Sequence, residues 1–267
     1  MFTVMTEAFF HTSFLHEKLK DFQLNWIIRN FRKLDKLTLD NIHHELSRKD
    51  KITDDDLIKL EEAYKGLNEA EKYLAKTHGV PATHALSTAN MVDTGNFGED
   101  FYQDYLSTEY SKNNEGTLIF LNVILAPFWI DHFDKKIVNA HSAILPYARG
   151  MFAIEQLATA GNKESVERAA GATIHYIDPG IDTGPIIEQK RLPSPWALDS
   201  IWAVKGESQL TAFGLLKSYL ERDNKFQFTD IISIEQDIES PLFVSKTFTN
   251  EVKRNAENSF LKMKEQH

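Results

Sequence analysis

The sequence predicts an α/β protein with a doubly wound, mainly parallel sheet and a short C-terminal extension. Short apolar runs rich in Val, Ile and Phe alternate with amphipathic stretches, the pattern of strand–helix–strand units around a parallel sheet. The predicted strands are Phe2–Met5, Asn25–Phe31, Pro81–Leu86, Thr117–Val123, Ile137–Ala143, Ala172–Ile177 and Pro185–Arg191. The predicted helices are Thr12–Phe22, Asp54–Lys65, Asn68–Thr77, Gly98–Tyr110, Gly150–Ala160 and Asp199–Leu220.

Residues 32–62 are dense in charge and carry few large apolar side chains. We expect exposed helices here, inserted between the second and third structural units. Thr53 stands three residues before Asp56, a capping arrangement that marks a helix start. His43 and His44 lack the spacing of a His-Glu-x-x-His metal motif, and their charged neighbours favour a solvated helix face.

The segment Leu192–Pro195 breaks regular structure and separates the sheet from a long helix. We therefore expect a main domain over 1–193 and a C-terminal extension over 194–267. The extension is predicted to contain two strands and a polar helix: Phe226–Ile234, Leu242–Phe248 and Asn250–His267. These late strands could pair with another subunit, which would give a homodimer.

Composition bounds the partners and the compartment. The chain has 267 residues and a formal net charge of −9, which argues against a nucleic-acid partner because non-specific affinity for nucleic acid comes largely from Lys and Arg. The absence of cysteine excludes disulfides and thiolate nucleophiles. No apolar run approaches the roughly 18 residues that span a bilayer, and residues 1–10 lack the basic start of a secretory signal. We expect a cytoplasmic protein without a membrane partner.

One apolar strand carries two polar side chains near its end. Asn139 and His141 are two residues apart in the strand Ile137–Ala143, so both side chains point to the same side. Ligands of parallel sheets collect beyond the carboxyl ends of the strands, which makes this pair a candidate site. Alternatively, both side chains could cap turns and form hydrogen bonds with backbone groups.

A third polar residue, Asp182, follows a later strand. The strand Ala172–Ile177 runs into a loop in which Asp182 lies between Gly180 and Gly184. Glycines allow a tight path on which the Asp182 carboxylate can approach a ligand closely. An Asx-type turn, in which Asp182 bonds only nearby backbone groups, is the alternative.

Together the two segments resemble the folate-dependent formyltransferase family, which includes 10-formyltetrahydrofolate-dependent N-formyltransferases and formyltetrahydrofolate deformylase. The order is Asn-x-His, then Leu-Pro, then about forty residues to an apolar strand and an Asp-x-Gly loop. The similarity covers roughly residues 78–193. It implies a Rossmann-like fold, a formyl transfer from 10-formyltetrahydrofolate to the amine of a small molecule, and no metal.

The resemblance assigns Asn139, His141 and Asp182 as catalytic residues. Asn139 and a protonated His141 would donate to the developing oxyanion, and Asp182 would favour the imidazolium and help remove the amine proton. Further residues are expected around the site. Folate-binding residues are predicted at Asn122, Val123, Ile124, Leu125, Ile177, Asp178, Gly180 and Ile181, and substrate-binding residues at Thr173, His175 and Arg149.

Departures from the family pattern narrow the choice of acceptor substrate. Residues 6–13 contain no glycine-rich phosphate loop, and Glu7 would repel phosphate, so glycinamide ribonucleotide is a poor candidate. Only about seventy residues follow Asp199, which disfavours a methionyl-tRNA acceptor. An amino sugar, an amino acid or a specialised intermediate remains. Formyltetrahydrofolate deformylase is the second hypothesis, and a non-catalytic folate-binding protein is the third.

Overall fold

The computed structural model describes residues 1–133, 137–223, 233–238 and 240–266. The chain divides into two compact units, Met1–Val138 and Asn139–His267. The boundary that we predict after residue 193 lies inside the second unit and stays a prediction.

The first unit contains four parallel strands in the order β3-β2-β1-β4. Its strands are β1 (Thr3–Glu7), β2 (Asn25–Arg29), β3 (Met91–Asp93) and β4 (Thr117–Phe120). Its helices are α1 (Thr12–Leu19), α2 (Lys36–Leu46), α3 (Asp54–Ala63), α4 (Glu69–His78), α5 (Ala85–Thr88), α6 (Glu99–Leu106), α7 (Glu109–Lys112) and α8 (Pro127–His132).

The second unit places β7 between β5 and β8, with β7 and β8 antiparallel. Its strands are β5 (Ile137–His141), β6 (Arg149–Gly150), β7 (Gly171–Tyr176), β8 (Ile186–Arg191) and β9 (Leu242–Phe243). Its helices are α9 (Ala153–Ala158), α10 (Lys163–Ala169), α11 (Ile201–Asp223) and α12 (Asn250–Glu265). Strands and helices alternate along the chain, and the predicted mainly parallel α/β class is confirmed.

The core of the second unit joins the C-terminal helices to the elements that carry the candidate site. Ile201 and Val204 of α11 and Phe260 of α12 are buried against α9 and α10 in one apolar cluster. Phe260 also stacks on Trp196, with ring centroids 5.2 Å apart. The predicted polar C-terminal helix therefore buries one face instead of lying free in solvent.

Pro81–Leu86 is not a strand, and this prediction was wrong. The hydroxyl of Ser87 accepts the backbone N–H of His84 at 3.2 Å, and the short helix α5 follows. The Pro81 carbonyl accepts a hydrogen bond from His43, which withdraws it from strand pairing. The edge strand β3 comes a few residues later and is short. The apolar residues of this segment are buried in a loop and a short helix, so their hydrophobicity alone did not indicate a strand.

Three other predicted elements are shorter than expected. The helix over 98–110 breaks after Leu106, and the helix over 150–160 begins only at Ala153 because Gly150 belongs to β6. Of the strand predicted at 242–248, only β9 forms. The predicted strand Phe226–Ile234 lies largely outside the described residues.

The insertion forms helices α2 and α3, and Thr53 and Asp56 make the predicted capping box. The expectation that these helices are simply exposed was wrong. Leu37 of α2 is exposed, but the other four leucines of the two helices are buried: Leu39, Leu46, Leu57 and Leu60. A few apolar residues at helical spacing are enough to dock a helix.

His43 also differs from its predicted solvated position, since it is 0% exposed. Its Nδ1–H donates to the Pro81 carbonyl at 2.7 Å, and its Nε2 accepts from the Tyr64 hydroxyl at 2.6 Å. The neighbouring His44 is exposed.

Among the residues that the structure describes, no helix has the length and apolar character to cross a bilayer.

Buried neutral histidines should make the protein acid-sensitive. Burial lowers the pKa of His43 to about 4 and that of His16 to about 3. The unfolded chain binds these protons near the ordinary value of 6.5, so the free energy of unfolding falls as the pH drops from 6.5 towards 4. Urea unfolding between pH 7.5 and 4.5 measures this loss, which is on the order of 3 kcal/mol for His43 alone.

The matched variants are His43→Gln and His44→Gln. We expect His43→Gln to flatten the pH dependence, since it removes one of the titrating groups, and His44→Gln to leave it unchanged. Equal slopes in the two variants would contradict the assignment of His43 as a buried neutral histidine.

Candidate active site

Strand β5 delivers two of the predicted catalytic residues, as its alternation requires. The Asn139 amide is half-buried, and its Nδ2 donates to Asp182 Oδ1 at 3.2 Å and to His175 Nε2 at 3.0 Å. The His141 side chain is 9% exposed, and its Nδ1 lies 3.4 Å from Asp182 Oδ2. The second unit therefore brings Asn139, His141 and Asp182 into one cluster.

His175 completes this cluster from the neighbouring strand β7. Its Nδ1–H donates to the Tyr176 carbonyl at 2.8 Å, which leaves Nε2 as the acceptor for the Asn139 amide. The same Nε2 lies 3.4 Å from Asp182 Oδ1. His175, predicted as a substrate-binding residue, thus contacts two of the three catalytic candidates.

The Asp182 loop is held in an uncommon backbone conformation. Asp182 has φ +53°, the left-handed region that non-glycine residues rarely adopt. Its Oδ2 accepts the backbone N–H of Gly150 at 2.7 Å. That bond points the carboxylate away from its own loop, so the Asx-turn alternative does not describe this residue.

The loop before Asp182 is tied by a different carboxylate. Asp178 Oδ1 accepts the N–H of Gly180 at 3.0 Å and the hydroxyl of Thr183 at 2.6 Å. A Cβ on Gly184 would lie 2.0 Å from the Tyr176 carbonyl oxygen, so only glycine fits at this turn. These contacts fix the path of the loop that presents Asp182.

Asp182 is nearly buried and ionised. Burial raises the pKa of its carboxyl, but His141, His175 and the Gly150 N–H together outweigh burial, and the pKa lies well below its usual range. A carboxylate with such a low pKa is a poor base and a strong local negative charge. The sequence-based role of Asp182 in removing a proton is therefore less favoured than its electrostatic role.

Burial lowers the pKa of His141, against the raising effects of Asp182 and of the Ala148 carbonyl. We expected a protonated His141, and the structure instead favours the neutral ring near pH 7. The Ala148 carbonyl accepts from Nε2 at 2.8 Å, so Nδ1 is the nitrogen that can take up a proton beside Asp182. As the pH falls, His141 gains its proton before Asp182 does.

The other two predicted substrate-binding residues, Thr173 and Arg149, make structural contacts. Thr173 is fully buried; its hydroxyl donates to the Ala143 carbonyl at 2.8 Å and accepts the N–H of Leu145 at 3.0 Å. This bonding places Thr173 behind the turn after β5. Arg149 Nε donates to the Ser240 carbonyl at 3.3 Å.

The predicted folate-binding segment after β4 is partly exposed. Ile124 is 75% exposed and Leu125 is buried. The N–H of Asn122 donates to the carboxylate of Glu7 at 3.1 Å. Glu7 is itself buried and paired with Arg29, so it is a structural anchor of the first unit. No group of three or more His, Asp or Glu side chains in the described part of the chain could hold a metal ion.

Comparison with known proteins identifies the segment that carries these residues. Residues 117–195, which include Asn139, His141, His175 and Asp182, match the family model described as formyl transferase. This segment, less than a third of the chain, is similar to the formyl transferase family. A phosphoribosylglycinamide formyltransferase of Bacillus subtilis is 47% identical over 60 residues, which are 22% of this chain and 28% of that protein. A trifunctional purine biosynthetic protein of Drosophila melanogaster is 39% identical over 74 residues, 28% of this chain and 5% of that protein. The chain therefore spans less than a third of the length of either relative.

Solved structures of formyltransferases share the fold. A sugar N-formyltransferase from a Shewanella species aligns with a TM-score of 0.55 at 14% identity, over 98% of this chain and 87% of that one. The formyltransferase PseJ of Anoxybacillus kamchatkensis, solved with a UDP-linked formamido sugar and tetrahydrofolate, aligns with a TM-score of 0.52 at 15% identity, over 97% and 99% of the two chains. At these identities the likeness shows the fold alone.

Sequence reasoning missed two contacts of Asp182. Gly150 contributes a backbone N–H, which leaves no side-chain signature in the sequence. Gln236 donates to the Asp182 carbonyl at 3.2 Å from a segment more than fifty residues away. Nothing in the sequence around Gln236 distinguishes it from an ordinary surface glutamine.

The environment of His141 predicts how its pKa responds to two substitutions. Asp182→Asn removes the opposite charge and should lower the pKa of His141 further. Lys205→Met removes a positive charge that lowers this pKa, and should raise it. NMR of the imidazole nitrogens against pH measures both shifts. A wild-type pKa above 6.5, or a rise in Asp182→Asn, would contradict this account.

Proposed function

We propose that this protein transfers the formyl group of 10-formyltetrahydrofolate to the amine of a small molecule. The observation that carries the proposal is the cluster of Asn139, His141, His175 and Asp182, in which the side-chain contacts are 3.0 to 3.4 Å. These residues lie within the stretch that matches the formyl transferase model. 10-Formyltetrahydrofolate would supply the activated formyl group.

The reaction needs hydrogen-bond donors where negative charge develops. Attack of the amine on the formyl carbon converts the carbonyl oxygen into an oxyanion, and a donor aimed at that oxygen lowers the barrier. Asn139 is the candidate donor. Its amide N–H groups already contact His175 and Asp182. Donation to the oxyanion therefore requires Asn139 to exchange one of these partners.

The attacking nitrogen must also lose a proton. A neutral His141 can accept it at Nδ1, and the resulting imidazolium then faces the Asp182 carboxylate at 3.4 Å. Asp182 stays ionised throughout, because its pKa lies well below its usual range. The charge that appears on His141 is thus matched by a charge that is already in place. The intermediate then collapses: the bond from the formyl carbon to N10 of the folate breaks, the imidazolium returns its proton to N10, and tetrahydrofolate leaves.

An amino sugar is the acceptor that we favour. Glu7 occupies the end of β1, where a phosphate loop would stand, and its carboxylate is buried against Arg29. No glycine follows it in residues 8–13. This segment argues against a ribonucleotide acceptor bound in that manner.

Substitution of Asp182 and of His141 tests the mechanism. Asp182→Asn and His141→Ala should each lower turnover by at least about 10², because each removes part of the transition-state stabilisation. Lys190→Ala, at an exposed position of β8, is the control and should match the wild type. Steady-state kinetics with circular dichroism checks both activity and folding. Turnover near the wild-type value in both site variants would refute the mechanism.

The acceptor can be identified by donor turnover. We expect tetrahydrofolate release from 10-formyltetrahydrofolate only when an amine is present, tested with nucleotide-linked amino sugars, amino acids and polyamines. Mass spectrometry then identifies the N-formyl product. Equal release without any amine, with formate as product, would instead make the protein a deformylase.

A further inference from the structure

Residues 233–238 and 240–244 form a C-terminal strap that contacts the candidate active site at two places in the second unit. One contact is with the Asp182 loop, and the other is with the turn at Gly150. Both partners belong to the stretch 117–195 that matches the family model, whereas the strap lies outside it.

The first contact is made by Gln236. Its Nε2 donates to the Asp182 carbonyl at 3.2 Å and to the Gly184 carbonyl at 2.6 Å. The two N–H groups of one amide therefore bridge the first and last residues of the tripeptide 182–184. Gln236 Oε1 is buried and has no hydrogen-bond partner among the described residues, so this side chain is connected through its donors alone.

A backbone bridge fixes Gln236 in register with the loop. Ile234 and Ile186 exchange two backbone hydrogen bonds, each 2.8 Å long. Ile186 follows Gly184 by only two residues, so the strap is anchored directly beside the carbonyls that Gln236 holds. The side chain therefore reaches the loop from a fixed backbone.

The second contact is at Gly150, whose N–H donates to the Asp182 carboxylate. Gly150 pairs with Phe243 of the strap, and the Met151 N–H donates to the Phe243 carbonyl at 2.9 Å. A Cβ on Gly150 would lie 2.0 Å from the Phe243 carbonyl oxygen. The strap thus packs against the backbone that orients the carboxylate, while Gln236 holds the backbone that carries it.

Asp182 needs such support because its conformation is unfavourable by itself. A non-glycine residue at φ +53° persists only where its surroundings hold it there. The carboxylate is nearly buried, so a loop that relaxed would take it out of reach of Asn139 and His141. Gln236 binds the carbonyl of this strained residue itself and the carbonyl of Gly184, two residues later.

We propose that Gln236 is a positioning residue, which holds the Asp182 loop so that the carboxylate meets Asn139 and His141. This role rests on the proposed formyl transfer. Gln236 touches no reacting atom and acts only through Asp182. Gln236 therefore supports the functional site, although it lies far from it in the sequence.

The first test compares Gln236→Met with Asp237→Ala. Methionine keeps the length of the side chain but removes both donors, and Asp237 is an exposed neighbour on the same strap. We expect Gln236→Met to lower kcat about tenfold, with KM for both substrates within about twofold, because a displaced catalytic group costs rate more than binding. Asp237→Ala should keep the wild-type kcat.

A double-mutant cycle separates positioning from a general structural role. Gln236→Met should cost nothing further in an Asp182→Asn background, since the residue that it positions is already disabled. Independent, multiplying losses would overturn the proposal. So would a kcat of Gln236→Met equal to that of Asp237→Ala while Asp182→Asn is impaired, and in that case formyl transfer itself would stand. Near wild-type turnover of Asp182→Asn would instead refute the mechanism on which both rest.

Discussion

The hydrogen bond from the Gly150 N–H to the Asp182 carboxylate is the contact on which the rest of the site depends. A carboxylate that is 11% exposed has lost most of its water and must find donors inside the protein. Gly150 and Asn139 provide them. Because these donors do not titrate, they keep the carboxylate oriented whatever the charge on the neighbouring histidine.

That fixed negative charge explains the behaviour of His141. Burial alone would keep the ring neutral, and a neutral ring is able to accept a proton. The carboxylate beside Nδ1 makes the protonated state accessible when the reaction delivers that proton. The site therefore combines a desolvated base with a counter-charge that requires no rearrangement, an electrostatic preorganisation that suits the proposed formyl transfer.

Local sequence patterns predicted the residues of the candidate site better than they predicted residues whose role depends on long-range contacts. Asn139 and His141 could be found because strand periodicity fixes both on one side, and Asp182 because glycines flank its loop. His43 could not, since its burial depends on Tyr64 and the Pro81 carbonyl, which lie far along the chain. Gln236 was missed for the same reason, because a long-range amide contact leaves no local pattern.

Asp182 is an ionised carboxylate held by backbone and amide donors, and its own titration measures this directly. The carboxyl carbon of Asp182 can be followed by ¹³C NMR from pH 6.5 down to the onset of acid unfolding. We expect no protonation step of this carboxyl around pH 4, where a free aspartate titrates, and only the smaller change that accompanies protonation of His141. A midpoint at or above that ordinary value would contradict it, because a carboxyl that protonates there is not held as the structure describes.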